Sequence, residues 1–249
     1  MRDHTARLAI VTGGTKGLGY AFSERLADLD YHVLALYRQD QAAAELAGKM
    51  LGNRGQVRRV DISDRAALVE LTRELVTEHG APAVLVNNAG RNIDRPLLEL
   101  NEADWQTVLE TNLSAPFHLT SLLAPAMLAA GGGSIVNIGA TTGIRARRNG
   151  ANYCASKAGL LHLTKCMALE LAPTIRVNCL IPGMIDTEEM RDRYRYADPD
   201  ARRSLLDEIP QGRIGTPAEL ADALEFLVSD RSRYFTGQKL IIDGGQFMW

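Results

Sequence analysis

Cysteine is scarce in this chain. Only Cys154, Cys166 and Cys179 occur among 249 residues. They show no metal-type spacing and cannot all pair with one another, so a disulfide scaffold is excluded and a reducing compartment fits. An excess of one charge is also missing: 28 Lys and Arg against 30 Asp and Glu leave a net charge of −2. That balance gives no electrostatic reason to expect nucleic acid or an anionic membrane as partner. No apolar run approaches the roughly 20 residues of a membrane-spanning helix. Met1 to Arg7 is polar, with no signal-peptide apolar core. A cytoplasmic protein is expected. Linkers rich in Pro, Gly or Ser and internal repeats are absent as well, so residues 1–249 are read as a single domain. Hydrophobic content of 46% with 23% charged residues supplies a sizeable core and excludes disorder as the main state.

Short apolar runs alternate with longer amphipathic stretches. Strands are expected at Leu8–Thr12, His32–Tyr37, Gln56–Val60, Ala83–Asn87, Ser134–Ile138, Ile175–Leu180 and Lys239–Ile242. Helices are expected at Ala21–Leu29, Gln41–Leu51, Arg65–His79, Ala103–Ala130, Tyr153–Leu171 and Ala218–Val228. Seven largely apolar strands alternating with helices predict an α/β fold, a doubly wound parallel sheet of Rossmann type with helices on both faces. The polar stretch from Glu188 to Gly212 breaks the alternation and is read as a substrate lid.

The first strand runs into Thr12-Gly13-Gly14-Thr15-Lys16-Gly17-Leu18-Gly19 and then a helix. Glycines at 13, 17 and 19 permit a tight turn and close approach of a ligand. The helix N-terminus behind them offers free N–H groups and a positive dipole end to a pyrophosphate. The place of the loop, between first strand and first helix, marks a dinucleotide site. An acidic residue at the end of the second strand would bind a free ribose and repel a 2′-phosphate. The sequence there is Leu36-Tyr37-Arg38-Gln39, with no acid at 37 or 38. Arg38 can pair with a phosphate bidentately, and Lys16 adds a second positive charge. Both favour NADP(H) over NAD(H).

Tyr153 and Lys157 stand at i, i+4 and share one helix face. A free phenol has a pKa near ~10 and is a poor acid–base group at neutral pH. A neighbouring ammonium favours its phenolate form. In chain order the sequence further shows Asn87-Asn88-Ala89-Gly90, Asn112, and Pro182-Gly183-Met184-Ile185-Asp186-Thr187. Thr236-Gly237-Gln238 and Asp243-Gly244-Gly245 follow near the C-terminus. Taken together, these motifs closely resemble the short-chain dehydrogenase/reductase family over essentially the whole chain. Within it, the chain is most similar to the 3-oxoacyl-ACP reductases and stand-alone polyketide ketoreductases.

The resemblance implies roles position by position. Tyr153 gives a proton to the substrate carbonyl oxygen, or takes it back in oxidation. Lys157 holds the nicotinamide ribose and lowers the Tyr153 pKa. Asn112 helps a water link Lys157 to solvent. Gly13, Thr15, Lys16, Gly17, Leu18 and Gly19 form the phosphate loop, with Arg38 beside it. Asp61 and Ile62 meet the adenine, and Asn88, Ala89 and Gly90 line the path to the nicotinamide. Pro182, Gly183, Ile185 and Thr187 hold the nicotinamide ring and its amide. Metal is not expected: His4, His32, His79, His118 and His162 form no ligand cluster. A homotetramer is implied, built on the two long helices and the C-terminal strand, with Phe247-Met248-Trp249 packed at an interface.

One position departs from the family. A Ser is expected 13 residues before the Tyr, and Ala140 stands there. Thr141 or Thr142 could supply the missing hydroxyl. In an extended segment Thr142 would share the side of Ala140. Arg145, Arg147 and Arg148 follow and could meet a phosphopantetheine arm, an acidic carrier protein or an anionic substrate. The expected function is NADPH-dependent reduction of a small-molecule or carrier-bound carbonyl, a 3-oxoacyl thioester or polyketide-like ketone. Two alternatives stay open: a reductase or dehydrogenase of a free small ketone, sugar or cyclic alcohol, and a non-catalytic NADPH-binding partner or sensor.

Overall fold

The computed structural model describes residues 7–248. His4 and Trp249 lie outside the described residues. Seven strands form one sheet: β1 (Leu8–Thr12), β2 (His32–Tyr37), β3 (Gly55–Arg59), β4 (Val84–Asn87), β5 (Gly133–Ile138), β6 (Ile175–Pro182) and β7 (Lys239–Ile242). All pair in parallel, in the order β3-β2-β1-β4-β5-β6-β7. The expected α/β architecture is therefore present.

Parallel strands need crossovers, and helices supply them. They are α1 (Gly17–Asp28), α2 (Gln41–Leu51), α3 (Arg65–His79), α4 (Glu102–Leu109), α5 (Ala115–Ala129), α6 (Ala151–Leu171), α7 (Glu188–Arg193), α8 (Pro199–Asp207) and α9 (Pro217–Val228). Alternate strand residues feed two separate cores. Ala9, Val11, Val33 and Ala35 join Phe22 and Leu26 of α1 and Leu220 and Leu224 of α9. Leu8, Ile10, Leu34 and Leu36 face the other way, onto Leu68 and Leu75 of α3 and Leu119 and Leu123 of α5. Burial on both faces explains the apolar strands. Strand β3 is the exception: it is an edge strand, and Gly55-Gln56-Val57-Arg58-Arg59 is only half-buried.

Two expectations need correction. The single helix expected over Ala103–Ala130 is two helices, joined by a π turn over Glu110–Ser114. The first helix begins at Gly17, four residues before its apolar periodicity starts, because the glycine loop itself enters the helix. The stretch read as a lid is largely helical, holding α7 and α8. Thr187 starts α7 by accepting from the Met190 amide at 3.2 Å, and Asp198 starts α8 by accepting from the Asp200 and Ala201 amides.

The chain leaves β1 for β2 and β3 on one side, then returns to place β4 on the other side of β1. At such a reversal the loops after the strands diverge and open a crevice at their C-terminal ends. The glycine loop follows β1, and Asn88-Ala89-Gly90 follows β4.

Candidate active site

The glycine loop is held from behind. Ser23 donates to the Gly14 carbonyl at 2.9 Å. The Asn88 side chain donates to the carbonyls of Thr12 and Gly13 at 3.0 and 3.1 Å. Thr12 Oγ1 accepts from the amides of both Asn88 and Ala89 at 2.9 Å. The loops after β1 and β4 are thus one rigid unit. Asn88 serves by bracing that unit with its side chain, a task the sequence reading did not foresee. Thr12 and Ser23 were missed altogether. Their only sequence signal is a hydroxyl in an otherwise apolar strand or helix face.

Most helices here begin on a side-chain cap, but α1 does not. Lys16 occupies its N-cap in an extended conformation without a side-chain hydrogen bond, and no acidic residue lies in the first turn. The first amides of α1 therefore face the crevice without a protein side chain to cap them. Gly17 is left-handed, and a Cβ there would meet only Thr187 Cγ2 at 3.7 Å. The loop after β6 thus faces the glycine loop across open space. A pyrophosphate fits this donor set, which offers free amides, a positive dipole end and nearby cations.

Arg38 and Lys16 each stand beside an acid. Arg38 lies 3.5 Å from Asp61, and Lys16 lies 3.5 Å from Asp40. Burial pushes the Asp61 carboxyl up, yet hydrogen bonds from Ser63 and the charge of Arg38 hold it below the usual carboxylate value. These are exposed, long ion pairs, worth about 0–1 kcal/mol each. Either cation can exchange its partner for a phosphate at small cost. Ile62 is buried beside Asp61.

Tyr153 lies in the first turn of α6, its amide donating to Asn152 Oδ1 at 2.8 Å. The Lys157 ammonium sits 5.8 Å from the centre of the Tyr153 ring and donates to the Ile138 carbonyl at 2.7 Å. Burial, and after it the Glu189 carboxylate, push the Tyr153 phenol up to about 12 against the opposing pull of Arg193 and Arg147. Burial also pushes the Lys157 ammonium down to about 8, so it keeps its charge at neutral pH.

Asn112, in the π turn, is fully buried. Its side chain accepts from the Arg91 amide at 2.7 Å and donates to the Arg91 carbonyl at 2.9 Å and to Ser156 Oγ at 3.0 Å. Ser156 Oγ in turn donates to the Tyr153 carbonyl at 2.8 Å. The amide of Asn112 is thus engaged in bracing α6 and the loop after β4. A Cβ added to Gly90 would approach Asn112 Oδ1 at 3.5 Å and Lys157 Nζ at 3.7 Å, so these three residues meet at one point.

On the far side, the Gly183 amide donates to the Ile242 carbonyl at 2.9 Å. A Cβ there would stand 2.5 Å from Asp243 Cα, so only glycine fits. Pro182 ends β6, and Ile185 is buried and bridged to Gly215.

Ala140 is extended, and its carbonyl accepts from the Gly143 amide at 3.0 Å. Residues 141–143 then form one 3-10 turn, so the extended alternation that would align Thr142 with Ala140 does not hold. Thr141 is buried, and Thr142 Oγ1 is buried with no hydrogen-bond partner. Arg147 forks Asp94 at 2.6 and 2.9 Å. Among the described residues no cluster of three or more His, Cys, Asp or Glu is arranged for a metal ion. Nor is any helix among them long and apolar enough to cross a membrane.

A glycine loop feeding an uncapped helix, with a Tyr/Lys pair across the sheet reversal, defines a dinucleotide-dependent redox site. Comparison with known proteins agrees. The family described as enoyl-(acyl carrier protein) reductase matches residues 13–246. The chain is 35% identical to the 3-oxoacyl-[acyl-carrier-protein] reductase FabG of Escherichia coli over 97% of this chain and 98% of that protein. It is likewise 35% identical to the enzyme of that name from Chlamydia muridarum, over 96% of each chain. A solved gluconate 5-dehydrogenase from Burkholderia cenocepacia, in complex with NADP and tartrate, superimposes with a TM-score of 0.89 at 31% identity, covering 98% of this chain and 97% of that one. The chain belongs to the short-chain dehydrogenase/reductase family of oxidoreductases.

Proposed function

We propose that this protein reduces a substrate carbonyl with NADPH, with Tyr153 as proton donor. The observation that carries this reading is the Tyr153–Lys157 pair, with the Lys157 ammonium 5.8 Å from the centre of the Tyr153 ring. The cofactor supplies the hydride when bound. Gly13, Thr15, Lys16, Gly17, Leu18 and Gly19 hold its phosphates, with Arg38 on the 2′-phosphate. Asp61 and Ile62 flank the adenine. Ala89 and Gly90 line the path to the nicotinamide, with Asn88 holding their loop. Pro182, Gly183, Ile185 and Thr187 would hold the nicotinamide ring and its amide. Tyr153 Oη holds the proton for the carbonyl oxygen. Lys157 holds the ribose and returns the proton to Tyr153. Asn112 fixes α6 and the loop after β4 through its side chain and helps a water link Lys157 to solvent.

A 3-oxoacyl thioester is the proposed substrate, supported by relatives named for that reaction across their full length. A free hydroxy acid or sugar is the second reading, supported by the gluconate 5-dehydrogenase likeness. Assay of NADPH consumption with carrier-linked, thioester and free ketones separates them. No consumption with any ketone, with NADPH still bound, would identify a non-catalytic binder instead.

The segment 188–212 is proposed as the substrate lid, since Arg193 of α7 reaches Asp94 at 3.1 Å, and Asp94 also holds Arg147, which lies over the Tyr153 ring. A cytoplasmic homotetramer is also proposed. Its supports are Phe117 and Leu128 on α5 and Leu169 on α6, large apolar side chains that are exposed in the single chain. Phe247 lies against the Arg145 guanidinium at 5.6 Å, while Met248 is exposed. Sedimentation at micromolar concentration should show the tetramer and no monomer.

Two further results are expected. NADPH should bind at least tenfold more tightly than NADH, a difference of only about 1.4 kcal/mol. Arg38→Asp should reverse this preference, because it removes an attraction and sets a second acid beside Asp61. Equal affinities in the unaltered protein would show that Arg38 does not read the phosphate. The second result concerns Thr142, which we assign as the donor replacing the hydroxyl absent at Ala140. Thr142→Val removes a buried, unpaired hydroxyl and should stabilise the fold by about 1 kcal/mol. The same change should lower kcat/KM about 10²-fold, the scale of a lost oxyanion donor. Ala140→Ser should restore most of that loss. If Thr142→Val keeps full activity, the assignment fails, and Thr141→Val becomes the decisive variant.

A further inference from the structure

We propose that Arg147 is a positioning residue for catalysis: with Lys157 it flanks the Tyr153 ring with positive charge, stabilises the phenolate, and offsets part of what the missing Ser hydroxyl at position 140 would do. The inference rests on the reading of Tyr153 as proton donor. Its geometric basis is a near-equal placement of two cations on one ring. The Arg147 guanidinium carbon lies 5.7 Å from the ring centre, and the Lys157 ammonium lies 5.8 Å from it.

Arg147 is built into this place. Its side chain is only 27% exposed. Beyond the fork on Asp94 it donates to Asn92 Oδ1 at 3.1 Å. A Cβ on Gly150 would stand 3.0 Å from its guanidinium carbon and 3.2 Å from Nε, so glycine leaves the room it fills. A loop cation with no task beyond solubility would not need three anchored N–H groups and a glycine behind it.

The other groups facing Tyr153 set the balance. Lys157 comes from α6. Glu189 and Arg193 come from α7, and Tyr194 follows it. Asp94, from the loop after β4, and Cys154, from α6, act on Arg147. Arg193 donates to Glu189 at 3.1 Å, so the α7 acid is matched within α7. Arg193 also donates to Asp94 at 3.1 Å. Asp94 is thereby shared between two guanidinium groups and neutralises neither completely. Arg147, Arg193, Asp94 and Glu189 sum to no net charge, and what acts on the phenol is the nearness of the Arg147 guanidinium to its ring. Asp94 acts chiefly as the anchor that fixes where that guanidinium lies.

The test compares Arg147→Gln, Arg147→Lys and Gly150→Ala with the unaltered protein. Two midpoints are read: the pH profile of kcat/KM for alcohol oxidation, and tyrosinate absorbance of the NADP⁺ complex with the Tyr153→Phe spectrum subtracted. Arg147→Gln should raise both midpoints by about one pH unit, which is tenfold less phenolate at a fixed lower pH. Arg147→Lys should recover at least half of that shift. Gly150→Ala keeps the charge but displaces it, and should shift both midpoints the same way by a smaller amount. A purely structural Arg147 would lower the melting temperature and leave both midpoints in place. Unmoved midpoints overturn the proposal, as does a loss confined to KM for anionic substrates, which would make Arg147 a substrate-binding group. Intact turnover in Tyr153→Phe would instead remove the underlying reading of Tyr153, so the two failures are distinguishable.

Discussion

Tyr153→Phe should abolish nearly all turnover while NADPH binding survives. The substitution keeps the ring, its packing under α7 and the Lys157 contact. It removes only the hydroxyl. General acid–base catalysis by a positioned side chain contributes about 10²–10⁴-fold, so kcat should fall by that factor. The Tyr153 amide is held by Asn152, and its carbonyl by Ser156, so the start of α6 should not move. Lys157→Ala should look different. Lys157 is buried and donates to the Ile138 carbonyl, so its loss strands that acceptor as well as the ribose and the phenol. Both cofactor affinity and kcat should drop, and the melting temperature with them. Fluorescence titration with NADPH and steady-state kinetics on the two variants separate these outcomes. Near-normal kcat in Tyr153→Phe would place the proton donor elsewhere.

Gly19→Ala should be the most damaging change in the glycine loop. A Cβ at residue 19 would lie 1.9 Å from the Gly13 carbonyl oxygen and 2.6 Å from Asn88 Nδ2. Neither neighbour can yield freely, because Asn88 is tied to both Thr12 and Gly13. Overpacking of this kind costs about 1–3 kcal/mol, and here it falls on the atoms that shape the phosphate cradle. NADPH affinity should fall by up to about 10²-fold, the upper end of that range. Gly17→Ala makes the informative contrast. Gly17 has φ +53°, yet a Cβ there meets only Thr187 Cγ2 at 3.7 Å. Its cost is the left-handed backbone alone, about 1–2 kcal/mol. Calorimetric titration should rank Gly19→Ala as the worse binder. The reverse order would mean that backbone conformation, rather than contact, sets the loop.

The parallel sheet was legible because burial on both faces leaves continuous apolar strands, and β1, β2 and β7 fall where their apolar runs place them. Tyr153, Lys157 and the glycine loop could be singled out because their chemistry constrains spacing along the chain, whereas Asn112 was named only through the family resemblance. What escaped notice depends on contacts between distant segments. Thr12 gains its task only when β4 lies beside β1, 76 residues later in sequence. Ser156 matters because Asn112 arrives from another helix. Arg147 reads as a loop cation until Asp94, 53 residues away, draws it in. The row Asn87–Asn137–Thr164 is similar. Asn87 donates to Asn137 Oδ1 at 2.8 Å, and Asn137 donates to Thr164 Oγ1 at 2.9 Å. Each polar residue looks misplaced in an apolar run until its neighbour is known.

The π turn at Glu110–Ser114 holds one residue more than a regular helix would need there. Each helical residue turns the chain by about 100°. The extra residue therefore resets the angular phase of α5 relative to α4. The two helices have different partners: α4 packs on α6, while α5 packs on α3. One uninterrupted helix would have to serve both partners with a single apolar stripe. The register shift lets Val108 face inward on α4 while Leu119, Leu123 and Met127 face inward on α5. Deleting one residue from this turn would make a more regular helix and rotate α5 by about 100°, turning Leu119, Leu123 and Met127 out of their present contacts. In this segment the irregular turn, rather than the straight helix, is what keeps two layers of the protein in step.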